Sequence, residues 1–193
     1  MCSRYEQNAP PTSISPRFGL AVPTDLPRPE VRPTDRALVI GQGGASVQVW
    51  GLKAAWDGSP LINARAESIH EKPSFKGLVQ SRVLVPATSW WEWMQSPKGK
   101  SGRKMRLRPK ELDLFAFAGL SDGERFTILT CDAPPEMNPM NDRAPVILAR
   151  QDEADWLNPE IPYAKIARAL LPRPLDLTIT ADGPEPPQLD LFG

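Results

Sequence analysis

Twenty-three of the 193 residues are proline, about 12% against an average near 5%, and this feature narrows the fold most. Proline lacks a backbone donor and fixes φ, so it interrupts helix interiors and central strands. Long helical bundles are thereby excluded, and short strands joined by ordered loops remain. The prolines gather at Pro10 to Pro33, Pro134 to Pro145 and Pro172 to Pro187, with the regular segments between them. Six tryptophans argue against wholesale disorder. The length suits one ordinary domain.

Ala37 to Ile40 and Ser46 to Trp50 are short, β-branched and separated by Gly41, Gly43 and Gly44, which predicts a hairpin. Ser81 to Pro86, Leu114 to Leu120 and Phe126 to Cys131 are apolar runs of strand length, with Val146 to Ala149 a shorter candidate. Helices are expected over Ile62 to Glu71, over Asp152 to Leu157 with its acidic first turn, and over Tyr163 to Leu171. The expected class is α+β: one β-rich domain over residues 1–180, built of twisted antiparallel strands with a few helices. From Ala181 to Gly193 proline and acid replace apolar periodicity, predicting a flexible tail.

Lysine and arginine total 23, aspartate and glutamate 23, so bulk charge will not coat duplex DNA or a membrane. No apolar run approaches a membrane span and no secretion signal is visible, so a cytoplasmic chain is expected. Two cysteines and one histidine, His70, provide neither a disulfide framework nor a zinc ligand set. Neither metal nor cofactor is expected. The neutral total conceals one basic segment: between Glu92 and Glu111 there is no acid, while Lys98, Lys100, Arg103, Lys104, Arg106, Arg108 and Lys110 are basic. It reads either as a solvated hairpin loop or as an arm that contacts phosphates without sequence preference.

Cys2 stands where removal of Met1 would leave a 1,2-aminothiol. Its amine and thiol have ordinary pKa values of about 8 and about 8.5. Such a pair condenses with an aldehyde: the amine forms a Schiff base and the sulfur closes a five-membered ring, aided by proximity. The same group can serve as an N-terminal nucleophile on amides. Position alone leaves both readings beside that of an ordinary residue near a start codon.

Several blocks occur in one order: Met1-Cys2-Ser3-Arg4-Tyr5, Trp50-Gly51, LINARAES (Leu61 to Ser68), EKPSF (Glu71 to Phe75), LVPATSWWEW (Leu84 to Trp93), FAGL (Phe117 to Leu120), TILTCDA, and NDRAPVIL (Asn141 to Leu148). From Met1 to about Trp156 the chain resembles the SRAP family, the SOS-response-associated peptidases or abasic-site processing proteins. The resemblance implies a mixed fold around twisted antiparallel strands. It also implies a covalent thiazolidine crosslink between Cys2 and the aldehyde of an abasic site in single-stranded DNA. Autopeptidase and abasic-site lyase activities go with the family name.

Carried over by position, the resemblance makes Asn63 a hydrogen-bonding partner of the aminothiol, Glu92 the general acid and base, and Arg4 and Arg65 phosphate contacts. Among Trp90, Trp91 and Trp93, a carboxylate is expected to be desolvated and its pKa raised. Arg143, Pro23, Thr130 and the basic arm (Lys98, Arg103, Lys104, Arg106) are expected to meet DNA. Trp50, Trp56, Trp90 and Trp91 are candidates to stack on bases flanking the lesion, with core packing the alternative for most of them. Three departures stand out. Asn141 occupies the histidine position of the family's H-x-R-M-P motif and cannot shuttle a proton near neutrality. Ser3 replaces a glycine, and PRFGLAVP (Pro16 to Pro23) is a weakened form of a family segment.

The chain ends Gln188-Leu189-Asp190-Leu191-Phe192-Gly193 after a proline-rich spacer. This resembles the peptide by which bacterial repair proteins dock on the replicative sliding clamp, where leucine and phenylalanine anchors fill an apolar pocket. The expected partners are therefore abasic single-stranded DNA and the clamp, for a nucleoid-associated monomer. The competing readings are an N-terminal cysteine peptidase and a non-catalytic, clamp-tethered DNA-binding module.

Overall fold

The structure, a computed structural model, describes residues 2–21, 28–95 and 102–183. Fourteen strands carry the chain: β1 (Tyr5–Gln7), β2 (Arg28–Val31), β3 (Arg36–Gly41), β4 (Gly44–Trp50), β5 (Leu52–Lys53), β6 (Pro60–Leu61), β7 (Asn63–Arg65), β8 (Arg82–Ala87), β9 (Ser89–Trp93), β10 (Lys104–Pro109), β11 (Phe115–Ser121), β12 (Arg125–Asp132), β13 (Arg143–Pro145) and β14 (Leu177–Ala181). The α-helices are short: α1 (Pro11–Phe18), α2 (Pro73–Lys76), α3 (Glu153–Leu157) and α4 (Tyr163–Ile166). The β-rich α+β expectation holds.

One sheet runs β14-β10-β9-β1-β2, every pairing antiparallel. A second runs β11-β8-β3-β4-β12-β13, and a further β11–β12 pairing closes its first five strands into a barrel. Most pairings are antiparallel, but β12 runs parallel to β4 and to β7. Strand alternation places the core. Tyr5, Trp90 and Leu107 sit on one face of the first sheet and are buried, while Glu6 and Arg106 occupy the other. Tyr5 meets Trp50 edge-on at 5.1 Å and Phe117 at 6.0 Å, and Trp90 meets Phe115 and Phe117 at 6.1 Å. Cys2 belongs to this cluster, so the chain's second residue is anchored between the sheets.

The Gly41–Gly44 hairpin and the strands at 82–87, 115–121 and 125–132 lie where expected. The helix expected over Ile62 to Glu71 does not form. Asn63–Arg65 instead pairs with Ile128, Leu129 and Thr130, and only a 3₁₀ turn, Ala66–Ser68, follows. Burial there alternates, with Ala64 and Ala66 buried and Arg65 exposed, which is strand periodicity. The strand expected at Val146 to Ala149 falls earlier, at Arg143–Pro145, leaving Ile147 a lone bridge to Phe117. The expected helix over Tyr163 to Leu171 is α-helical through Ile166 and continues as a 3₁₀ turn, Ala167–Leu170.

Helix α1 and strand β14 are among the elements that the sequence patterns did not indicate. Helix α1 lies inside the first proline cluster, with Pro11 opening it, where no donor is needed, and Gly19 closing it at φ 69°. Strand β14 pairs five residues with β10, so Ala181, expected to start the tail, ends a strand opposite Met105. The Asp182 N–H donates to the Lys104 carbonyl at 2.9 Å.

Candidate active site

Four segments distant in sequence converge on Cys2. The barrel brings Asn63, at the start of β7, beneath the amino-terminal segment. Asn63 Nδ2 donates to the Cys2 carbonyl at 2.6 Å. The Asn63 Oδ1 is buried and accepts no hydrogen bond among the described residues. The Cys2 thiol is fully buried and donates to the Arg4 carbonyl at 3.6 Å. Burial first, then the charge of Glu92, pushes the thiol well above its ordinary range. A neutral thiol of this kind needs a base before it can act as a nucleophile.

Glu92 is the carboxylate whose charge reaches the thiol. It is 3% exposed, on β9 opposite Met105 of β10. Burial raises its carboxyl to about 7, against the pull of the Asn141 hydrogen bond. Asn141 Nδ2 donates to Glu92 Oε2 at 3.2 Å, and Asn141 Oδ1 accepts the Arg143 N–H at 3.2 Å. The backbone donor thereby orients the amide, so its NH₂ faces the carboxylate. Asn141 holds Glu92 and supplies no titrating group of its own.

The family's sequence model, "SOS response associated peptidase (SRAP)", matches residues 1–181. The chain belongs to the SRAP family. The abasic site processing protein YoqW of Bacillus subtilis is 39% identical, covering 69% of this SRAP chain and 68% of its own. Abasic site processing protein YedK of Escherichia coli is 26% identical over 83% and 81%. Crystal structures of a Bacteroides thetaiotaomicron protein (TM-score 0.79, 25% identity, 93% and 91% covered) and of a phage-related Bordetella bronchiseptica protein (0.78, 28%, 95% and 95%) share the fold.

Around the SRAP site, the residues expected to meet DNA divide into two groups. Arg65 is exposed next to Asn63 and lines a cleft of about 640 Å³ with Lys72, Phe75, Leu61 and Trp56. Trp56 is 69% exposed, and Asn63 lines the same cleft, which joins it to the aminothiol segment. Arg4 and Lys104 form the other group, their charged groups beside the Trp93 and Trp91 rings. Arg103 is half-buried near the hairpin end.

Three expectations are corrected by burial. Trp90 is fully buried against Phe115 and Phe117, so it packs the core and offers no face to a base. Thr130 is fully buried and its hydroxyl donates to the Ala64 carbonyl at 3.4 Å. The Arg143 side chain is 8% exposed, bonded to Asp132 at 2.5 Å, Glu67 at 2.8 Å and the Thr130 carbonyl at 2.9 Å. It braces the turn that presents Asn141. Arg106 is also committed, to Glu6 and Ser89. Pro23, Lys98 and the residues Gln188, Leu189, Asp190, Leu191 and Phe192 lie outside the described residues.

His70 is exposed, stacked on Tyr163 at 5.9 Å, and takes no part in the site. Burial raises the half-buried Cys131 thiol to about 11. Among the described residues no group of three or more His, Cys, Asp or Glu is placed to hold a metal, and no helix is long and apolar enough to cross a membrane. Sequence reasoning missed Glu30 and Arg32, which gather around Arg4. The only sequence cue was the alternation Lys104, Arg106, Arg108, which sets three cations on one strand face.

Proposed function

We propose that this SRAP chain forms a thiazolidine crosslink between Cys2 and the aldehyde of an abasic site in single-stranded DNA, in the DNA damage response. The observation that carries this reading is the convergence of Asn63 and Glu92 on Cys2, from segments 61 and 90 positions along the chain. The abasic-site processing named for the relatives supports it.

Removal of Met1 frees the Cys2 amine. The amine adds to the sugar aldehyde carbon, and loss of water yields an imine. The Cys2 Sγ then adds to the same carbon, its proton passing to Glu92 and on to the nitrogen. Aldehyde and aminothiol thus become thiazolidine and water. A carboxyl titrating at about 7 both accepts and returns protons at neutral pH. Asn141 provides no second shuttle, so Glu92 serves every transfer. Trp56, Arg65 and Lys72 line the approach, where an aromatic face suits a base and cations suit phosphates.

The QLDLF end would tether this chemistry to the bacterial sliding clamp, where single-stranded template is exposed. A chain truncated after Pro187 should then lose clamp binding; unchanged binding refutes the tether. For the crosslink, purified protein whose intact mass shows Met1 removed is incubated with abasic single-stranded DNA. A heat-stable shifted band is expected, absent in Cys2→Ala. DNA binding without the band would leave a non-catalytic module, and Cys2-dependent peptide cleavage without the band would leave a peptidase.

A further inference from the structure

The lip of the site beside Cys2 carries an ionic cluster that the crosslinking chemistry does not use. Glu30, on strand β2, gathers cations from three separate segments. Arg4 Nη1 lies 2.5 Å and Arg32 Nε 2.6 Å from Glu30 Oε1, and Lys104 Nζ lies 3.1 Å from Oε2. Lys104 also reaches Asp182 at 2.8 Å. Within ion-pair distance, three cations meet two carboxylates. Two aromatic rings shape the cluster: the Arg4 guanidinium is 5.8 Å from the Trp93 ring centre and the Lys104 ammonium 4.4 Å from that of Trp91.

As a source of stability this cluster is poor. Its side chains remain 23% to 62% exposed, so solvent screens the attraction, and ordering three long side chains opposes it. As an anion cradle it is well built. The three cations hold the Glu30 carboxyl down at about 2, despite the desolvation that favours the neutral acid. A phosphodiester, like a carboxylate, presents one negative charge shared over two oxygens, and arginine forks suit it. The cradle also adjoins the chemistry, since the Arg4 carbonyl receives both the Cys2 thiol and the Trp91 N–H.

We infer that Glu30 is a built-in phosphate mimic, occupying a cradle of Arg4, Arg32 and Lys104 that a backbone phosphate of a bound single strand takes over. Glu30 therefore competes with the strand and sets the affinity for DNA that has no lesion. This deepens the proposed function by adding Arg32 and a displaceable counter-ion, and it rests on single-stranded DNA being the ligand there. Its test requires no crosslinking.

In a Cys2→Ala background, binding of a fluorescein-labelled oligothymidylate is followed by anisotropy at several salt concentrations. Glu30→Gln should bind roughly tenfold more tightly at low salt, with a log–log salt slope steeper by about 0.7, one extra phosphate contact. Glu160→Gln removes the same formal charge at an exposed carboxylate between α3 and α4 and should change affinity less than twofold. Adding Lys104→Gln to Glu30→Gln should abolish the gain, and Arg32→Gln alone should weaken binding. Thermal melts confirm that each variant is folded, and the Arg32 variant stands as the test should Glu30→Gln fail to fold. Equal affinities for Glu30→Gln and Glu160→Gln, or a gain indifferent to Lys104, overturn the inference. Tighter binding of intact strands by the Glu30→Gln protein, with no crosslink formed between the Cys2-bearing, Met1-processed protein and abasic strands, would support the cradle and refute the crosslinking reading. The reverse pattern would refute the cradle alone.

Discussion

Replacing Glu92 by glutamine should make the protein more stable above neutral pH, at the expense of its chemistry. The Glu92 carboxyl titrates at about 7 in the fold because burial penalises its charge, against about 4.3 in an unfolded chain. Between those values the native state keeps a proton that the unfolded state has lost. Stability is therefore fully retained below about pH 4.3, declines as pH rises to about 7, and is level beyond. At 1.36 kcal/mol for each pH unit, the ionised carboxylate costs about 3.7 kcal/mol at pH 8. Glutamine has nearly the same shape, can accept from Asn141 through its oxygen, and carries no charge. For a chain of this size, Glu92→Gln should raise the melting temperature by roughly 7 to 15 °C at pH 8 and leave it nearly unchanged at pH 4.5. The assay is thermal denaturation of both proteins, matched in N-terminal processing by intact mass, across that pH range. Taking the difference between them cancels every other titrating group. A wild-type-to-variant difference that is the same at pH 4.5 and pH 8 would refute the argument from burial, and with it the assignment of Glu92 as a base poised near neutrality.

Three further outcomes follow from the same geometry. Asn141→Ala removes the 3.2 Å donor to Glu92 and should raise that carboxyl by about one pH unit, read from the ¹³C resonance of the Glu92 carboxyl; an unmoved titration would show that Asn141 does not hold it. Trp56→Ala, at an exposed cleft position, should leave the melting temperature within about 2 °C yet weaken binding of single-stranded DNA about tenfold. Unchanged affinity would remove the cleft from the DNA path. Gly119→Ala sets a Cβ 2.8 Å from the Thr127 carbonyl oxygen and 3.1 Å from Val83, inside the closed barrel. It should cost about 1–3 kcal/mol by chemical denaturation, and a neutral result would mean that β11 and β12 can separate there.

Much of the barrel was legible before any coordinates. Glycines punctuate the hairpin at residues 41–44, and the runs at 81–86, 114–120 and 126–131 are mostly apolar, β-branched or aromatic and of strand length. The reactivity that Cys2 would have once Met1 is removed can also be read from the sequence, because the amine and thiol would then sit on adjacent carbons. What failed did so where a local pattern was ambiguous. Ile62 to Glu71 has a composition compatible with a helix, and only the open edge of β12, which takes up the backbone of Asn63, Ala64 and Arg65, makes it a strand. Strand β14 exists because β10 offers it five partners.

The site divides in the same way. Residue identity by itself made Cys2 a candidate nucleophile and Glu92, flanked by tryptophans, a candidate for desolvation, and it fixed that Asn141 shuttles no proton. Tertiary structure alone decided who touches whom. It turned Arg143, Thr130 and Trp90 inward, because ion pairing, a backbone acceptor and aromatic packing claim them there. It also gathered Arg4, Arg32 and Lys104 around Glu30. A charge in a sequence carries its sign but not its partner, and partners come from the strand pairing that orders a sheet and brings together side chains as far apart in sequence as Glu30 and Lys104. That pairing determines which cations are already neutralised within the fold and which remain for a phosphate.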